Sequence, residues 1–367
     1  MAPSKLQEWF PWTKAPVIIN GPMIGVACPK LAAEVSKAGG IGFISCVVNV
    51  EQGSPEVTRA HDDLAAVRQH LGQNAATDDD DNGVVRAGMG CITGHASVGQ
   101  FAETVVVPVM AAQRPAALWL FAPDGAVRPH ARIIAAVRAH FEGSGSSGGY
   151  RPRVFVQVGN VAAAREAVRD GADVVVCQGV DAGGHQFRRG AGVISLVPEV
   201  RRMLTDEFAD RDVALVAAGG IVNGKGVAAA LALGADGVVM GTRFTVADES
   251  TYPDFRKAQV LQTTDGGSST FKSPFNDQIN NSTLWGPLYD GRAIVSEIHD
   301  KFMAGATLEE CQAALKQVSP PEEAVKLINT WAGTGVGLVK TGGPAGQIVE
   351  DVRRETRETI ESLIGLI

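Results

Sequence analysis

Eight times along this chain a short, largely apolar run ends at a glycine or polar turn and gives way to a stretch with helical periodicity. The runs fall at residues 17–20, 41–45, 84–89, 117–121, 154–158, 174–178, 214–218 and 237–241. A strand stays apolar on both faces when a helix covers one side and a packed interior fills the other, as in a parallel sheet. Between the runs the spacing predicts helices over 29–38, 56–71, 127–141, 162–170 and 226–233. Repeated βαβ units cross over right-handedly, which leaves a closed barrel or an open doubly wound sheet, and eightfold regularity selects the barrel. The expected fold class is α/β, a (β/α)8 TIM barrel. Two helix ends also repeat, Asp170-Gly171-Ala172-Asp173 and Leu233-Gly234-Ala235-Asp236, each feeding an apolar run after a C-capping glycine.

At 367 residues the chain exceeds the roughly 250 that such a barrel needs. The surplus has a place: residues 251–320, directly after the eighth run, are polar with scattered aromatics and break the βα rhythm. They read as a smaller, mainly helical inserted domain serving as substrate domain or lid. The barrel then spans 1–250 and 321–367, completed by a helix over 347–366. Segments 72–83 and 143–149 read as solvated loops. The four aspartates at 78–81 lack the alternating spacing and turn glycine of a calcium loop, and read as a solvated tip.

A net charge of −7 leaves no basic stripe for nucleic acid or an anionic membrane surface, so a small molecule is the expected partner. No stretch reaches the roughly 18 apolar residues of a membrane span, and the amino terminus lacks the apolar core of a secretion signal. A cytoplasmic location is the expectation. Cys28, Cys46, Cys91, Cys177 and Cys311 are scattered and never form a CxxC pair, which suits a reducing compartment; four of them lie within or beside apolar runs and read as buried, unreactive thiols.

Active sites of such barrels gather at the carboxyl ends of the strands. Four ends stand out here: Asn20-Gly21-Pro22-Met23, Gln178-Gly179 through Gly183-Gly184-His185, Ala218-Gly219-Gly220-Ile221, and Met240-Gly241-Thr242-Arg243. Gly219 and Gly220 let backbone N–H groups approach an anion, a helix beginning near Asn223 adds its positive end, and Gly241 and Thr242 close the other side. Tight turns without a ligand would also use glycine. His185 follows two glycines at a strand end, where a neutral-range imidazole can act as general base; a surface loop histidine is the bland alternative. His95, after the third run, is the second choice. No HExxH, clustered His/Cys set or GxSxG elbow occurs, so no metal centre and no serine-type acyl transfer is expected.

These residues resemble the nitronate monooxygenase family, formerly called 2-nitropropane dioxygenases: FMN-containing barrels with a smaller helical substrate domain. The likeness runs from Pro22-Met23 and Gly25, followed by LAAEVSKAGGIGFIS, through Gln178-Gly179 and Gly183-Gly184-His185 to AAGGI. It continues in GADGVVMGTRF with Asp248-Glu249-Ser250, Trp331 to Gly337, and Pro344-Ala345-Gly346-Gln347, and so covers nearly the whole chain. The resemblance implies that Pro22 and Met23 meet the flavin ring, and that Gln178, Gly183 and Gly184 contact FMN. Gly219, Gly220, Gly241 and Thr242 would hold its phosphate, and His185 would abstract the α-proton of a neutral nitroalkane. It implies oxidation of an alkyl nitronate with O2 to a carbonyl compound and nitrite, the flavin doing the redox step. Two positions depart from the pattern: Val239 and Thr334 stand where many members have Gln, which bears on polar flavin contacts but not on a cradle made of backbone. A flavin-dependent enoyl-acyl-carrier-protein reductase using NAD(P)H, a non-redox phosphate-binding barrel and an idle flavin-binding protein stay open as alternatives, as does a homodimer.

Overall fold

The structure, a computed structural model, describes residues 4–73, 83–142 and 149–365. The aspartates at 78–81 and most of the loop at 143–149 lie outside the described residues. The eight expected runs form β1 (Ile18–Asn20), β2 (Gly42–Val47), β3 (Val85–Ile92), β4 (Pro115–Phe121), β5 (Arg153–Val158), β6 (Val174–Gln178), β8 (Ala214–Ala218) and β9 (Gly237–Met240). Three further strands, β7 (Gly184–Phe187), β10 (Thr270–Ser273) and β11 (Tyr289–Ile294), lie outside the barrel.

The barrel strands are parallel, in the order β1-β9-β8-β6-β5-β4-β3-β2. The sheet closes between β1 and β2, and that seam is unusual. One bridge joins Ile19 to Ile41, supported by the Ile41 N–H on the Ile18 carbonyl at 3.0 Å. Beyond it the buried Asn20 side chain substitutes for a strand partner. Its Nδ2 donates to the Phe43 carbonyl at 2.8 Å, and its Oδ1 accepts the Phe43 N–H at 3.0 Å.

Large rings fill the interior. Phe43 meets Trp119 and Phe155 edge-on, each at 5.4 Å, while Trp119 and Phe155 stack at 5.9 Å. Gly88 makes room: a Cβ there would lie 2.3 Å from the Phe43 ring. A short N-terminal helix, Lys5–Trp9, opens with a Ser4 capping box and brings buried Leu6 and Phe10 under the barrel, with Phe10 6.0 Å from Phe155. The amino-terminal end is thus plugged, and the carboxyl-terminal mouth is left for a ligand.

The repeated Gly-Ala-Asp helix ends serve the same structural purpose twice. Gly171 and Gly234 both sit at φ +101, left-handed positions that terminate their helices. Asp173 then accepts the Val154 N–H and pairs with Arg138, while Asp236 accepts the Leu215 N–H and pairs with Arg201 at 2.7 Å. Each carboxylate clips the start of one strand to the next. The last helix, Ala345–Ile364, packs on helices Pro29–Lys37 and Gly224–Ala232. Arg353 there donates to the Ala38 and Gly39 carbonyls at 3.0 and 3.1 Å.

Residues 251–320 hold helices Asp254–Gln262, Phe275–Gln278, Glu297–Met303 and Leu308–Lys316. They also hold β10 and β11, which the expectation of a mainly helical segment did not include. β11 pairs antiparallel with both β10 and β7, setting Gly291 opposite His185. The Gly183-Gly184-His185 segment, expected as a turn, therefore runs into an edge strand that the inserted residues extend. No helix among the described residues is long and apolar enough to cross a membrane.

Candidate active site

A cavity of about 400 Å³ opens at the carboxyl ends of the barrel strands, within the usual size range of small-ligand sites. Pro22, Met23, Gln178, Gly183, Gly184, His185, Gly219, Gly220, Gly241 and Thr242 all line it, so the residues singled out in the sequence are brought together. His95 is not among them. It caps the short helix Ala96–Gln100 instead, its Nδ1 accepting the Ser97 N–H at 3.2 Å.

One end of the cavity is made of backbone. Gly219 and Gly220 adopt φ +105 and +73 at the end of β8, and Gly241 and Thr242 follow the adjacent β9. Among the described residues, none of these four amide N–H groups has a partner within the chain. A row of unpaired donors beside a cavity is what a phosphate or carboxylate requires. The helix Gly224–Ala232 contributes less than expected. Its Gly224 N–H is on Glu355 Oε2 at 2.7 Å and its Gly226 N–H on Asn223 Oδ1 at 3.0 Å, so the chain itself uses those donors.

The side walls differ in what they leave free. Backbone groups of Pro22 and Met23 are engaged internally: the Pro22 carbonyl accepts from Cys46 at 3.3 Å, and the Met23 N–H reaches the Gly21 carbonyl at 2.9 Å. These two residues present mainly apolar surface. Opposite, a chain of hydrogen bonds crosses the floor, from Trp119 Nε1 to Gln157 Oε1 (3.1 Å), Gln157 Nε2 to Gln178 Oε1 (2.6 Å) and Gln178 Nε2 to the His185 carbonyl (3.3 Å). Gly183 packs against a strap at residues 331–335, where a Cβ would lie 2.4 Å from the Ala332 carbonyl carbon. The strap is tied down by Gly333 N–H on Thr242 Oγ1 at 3.0 Å and Thr334 N–H on the Asp181 carbonyl at 2.9 Å.

The roof is made of side chains from distant parts of the sequence. The His185 ring stacks on Trp285 with centroids 3.6 Å apart and planes 9° apart, and Trp331 lies 4.8 Å away. Its Nε2 is 2.7 Å from Asp277 Oδ1. Arg292 of β11 donates to the Val180 carbonyl at 3.1 Å, joining the inserted residues to the loop after β6. Sequence reading missed Asp277, Trp285 and Gln157, and marked Trp331 only as part of the family likeness, without a place in the site. Asp277 is 92 positions from its partner, and no local spacing announces it.

Among the described residues, none lining the cavity is Lys, Arg, Asp or Glu. Burial pushes the Tyr252 phenol up to about 12 and the Cys46 thiol well above its ordinary value. Both line the cavity uncharged at neutral pH, and Cys46 is unsuited to act as a nucleophile.

The nitronate monooxygenase family model matches residues 152–355. A nitronate monooxygenase of Neurospora crassa is 45% identical to this chain, over 98% of it and 94% of the relative. The nitronate monooxygenase npaC of Metarhizium robertsii is 32% identical, over 98% and 96%. The chain belongs to the nitronate monooxygenase family. It is thus an oxidoreductase of a flavin-dependent family, acting on a small molecule. Two solved structures share the fold: FabK from Thermotoga maritima (TM-score 0.73, 23% identity, all of both chains) and a nitroalkane oxidase from Streptomyces ansochromogenes (TM-score 0.66, 23% identity, 98% of this chain and all of the other). Of the two positions that depart from the family's pattern, Val239 lines the cavity, and Thr334 Oγ1 sits 3.6 Å from where a Cβ on Gly220 would be.

Proposed function

We propose that this nitronate monooxygenase family member binds FMN noncovalently and oxidises alkyl nitronates with O2 to carbonyl compounds and nitrite, and that His185 lets it begin from neutral nitroalkanes. The observation that carries the reading is the pairing, in one cavity, of four partnerless amide N–H groups at one end with an oriented imidazole at the other. The amides of Gly219, Gly220, Gly241 and Thr242 suit the terminal phosphate. Pro22 and Met23 would flank the ring, with Gln178, Gly183 and Gly184 on its other side. When bound, FMN supplies the redox chemistry.

The protein's own work is positioning and proton transfer. His185 takes the α-proton of a nitroalkane, whose electron pair stays on the nitro-carbon unit as nitronate. Trp285, Trp331 and Leu284, which line the cavity, keep water from the reacting carbon. A wall without fixed charges favours an alkyl chain over a charged one. Residues 251–320 would act as the lid that carries Leu284 and Trp285.

Two measurements test this. Heat-released cofactor should be FMN; FAD would overturn the assignment. His185→Ala should lower kcat/KM for a neutral nitroalkane by about 10²–10⁴-fold, the usual range for a lost general base. Turnover of preformed nitronate, which needs no proton removed, should fall about tenfold or less through lost positioning alone. Equal losses on both substrates, at equal flavin content, would reject His185 as the base.

A further inference from the structure

We propose that Asp277, carried by the residues inserted after the barrel, is a positioning residue that fixes the tautomer of His185, so that Nδ1 is the atom that takes the proton. The inference rests on the reading of His185 as the base. Its observations are separate. The Asp277 carboxylate lies 2.7 Å from His185 Nε2, with the two side chains 12% and 11% exposed. An ionised carboxylate only accepts, so Nε2 carries the hydrogen and Nδ1 keeps the lone pair. Among the described residues Nδ1 has no partner. The Trp285 face, 3.6 Å from the imidazole and nearly parallel to it, holds the ring against turning over. Gly291, opposite His185 on β11, leaves the space for this arrangement. A Cβ there would stand 3.4 Å from Nε2 and 2.5 Å from the Trp331 ring.

A purely architectural role for Asp277 is already filled by its neighbour. Asn276 donates to the Phe271 and Gly291 carbonyls, both at 2.9 Å, and accepts from His299 Nε2 at 2.8 Å, which holds the Phe275–Gln278 helix to its own lobe. The Asp277 side chain makes no hydrogen bond within that lobe among the described residues; its one partner is His185. A buried carboxylate is unfavourable unless paired. In the step itself the α-carbon–hydrogen bond breaks, the proton passes to Nδ1, and the electron pair remains on the nitronate. The imidazolium so formed lies against the Asp277 carboxylate, which is stabilising. The base is therefore assembled from two parts of the chain and is complete only when the inserted residues lie over the mouth.

Asp277→Asn in the flavin-loaded enzyme tests this, because a side-chain amide can donate to Nε2 and favour the opposite tautomer. Expected is a fall of about 10²-fold or more in kcat for a neutral nitroalkane. KM, flavin content and nitronate turnover should stay within about threefold of the parent, as for a group acting only in proton removal. Asp277→Glu, which keeps a carboxylate, should recover most of the loss. Nitrogen NMR of the parent enzyme labelled at histidine should show His185 protonated at Nε2 alone at the pH of turnover, and needs no variant to fold. Protonation at Nδ1 alone or at both nitrogens, equal losses on both substrates at full flavin content, or no loss would overturn the proposal. His185→Ala measured alongside separates the two readings. If it is selective for the nitroalkane and Asp277→Asn is not, only the role of Asp277 falls; if it is not selective, the base assignment falls and takes this inference with it.

Discussion

The two ends of the cavity are built on opposite principles. At the Gly219–Gly220 and Gly241–Thr242 end the chemistry is in the backbone, and side chains matter by being absent or small. At the His185 end it is in side chains gathered from β7, the Phe275–Gln278 helix, the segment holding Trp285 and the strap holding Trp331. The first end needs only adjacent strands, which the barrel guarantees. The second needs residues 251–320 to pack against the barrel mouth. Cofactor binding and proton removal should therefore be separable by mutation.

The largest effect is expected where the backbone itself is disturbed. A Cβ on Gly219 would force an alanine to hold φ +105 and would stand 2.8 Å from the Gly179 carbonyl. If this end holds the cofactor phosphate as proposed, Gly219→Ala should weaken flavin binding by about 3 kcal/mol, the upper range for a non-glycine residue in such a conformation. The check is flavin absorbance of the purified protein against a titration of the apoprotein. Full flavin retention would show that this end tolerates more than its geometry suggests.

An intermediate effect should come from residues 251–320 through pH. Burial lowers His299 to about 4 from an ordinary 6.5. Its Nδ1 accepts the Ser296 N–H at 3.1 Å and its Nε2 donates to Asn276. The fold thus favours the neutral ring. The stability this contributes is complete above pH 6.5 and is lost as pH falls towards 4, about 2 kcal/mol of it by pH 5. His130, buried in the barrel and also lowered to about 4, adds a similar dependence. Urea midpoints at pH 7.5 and 5 should differ less in His299→Gln than in the parent, and an unchanged difference would exclude His299 as a source.

The smallest expected change sharpens the side-chain end alone. Trp285→Ala removes the ring stacked on His185, an interaction worth about 1 kcal/mol beyond area burial. Nitroalkane turnover should drop by somewhat under tenfold with flavin content unchanged. Loss of flavin in this variant would mean that the two ends are coupled.

The same contrast decides what could be read in the sequence. Predominantly apolar runs marked all eight barrel strands, because most positions on both faces of each are buried. The glycines at 219, 220 and 241 were visible because strand ends in this fold are where ligands bind. β10 and β11 were not, since TFKS and YDGRAI are short and mix charge with glycine. His185 stood out by position, whereas Asp277 and Trp285 come from a stretch with no periodic pattern. Glu355, 131 positions from the Gly224 N–H it caps, explains why a helix start that looked available for an anion is partly spoken for.

Asn20 carries a further consequence. Where the other barrel strands are joined by main-chain ladders, β1 and β2 are joined at this level by the two ends of one carboxamide. Between the Ile41 N–H on the Ile18 carbonyl and the Cys46 N–H on the Pro22 carbonyl, the ring of strands is therefore held by one side chain. The Gly21-Pro22-Met23 turn hangs directly from it. A leucine of similar size in place of Asn20 would leave the Phe43 amide and carbonyl without these partners, and the barrel would begin to open at its carboxyl-terminal mouth rather than at its plugged base.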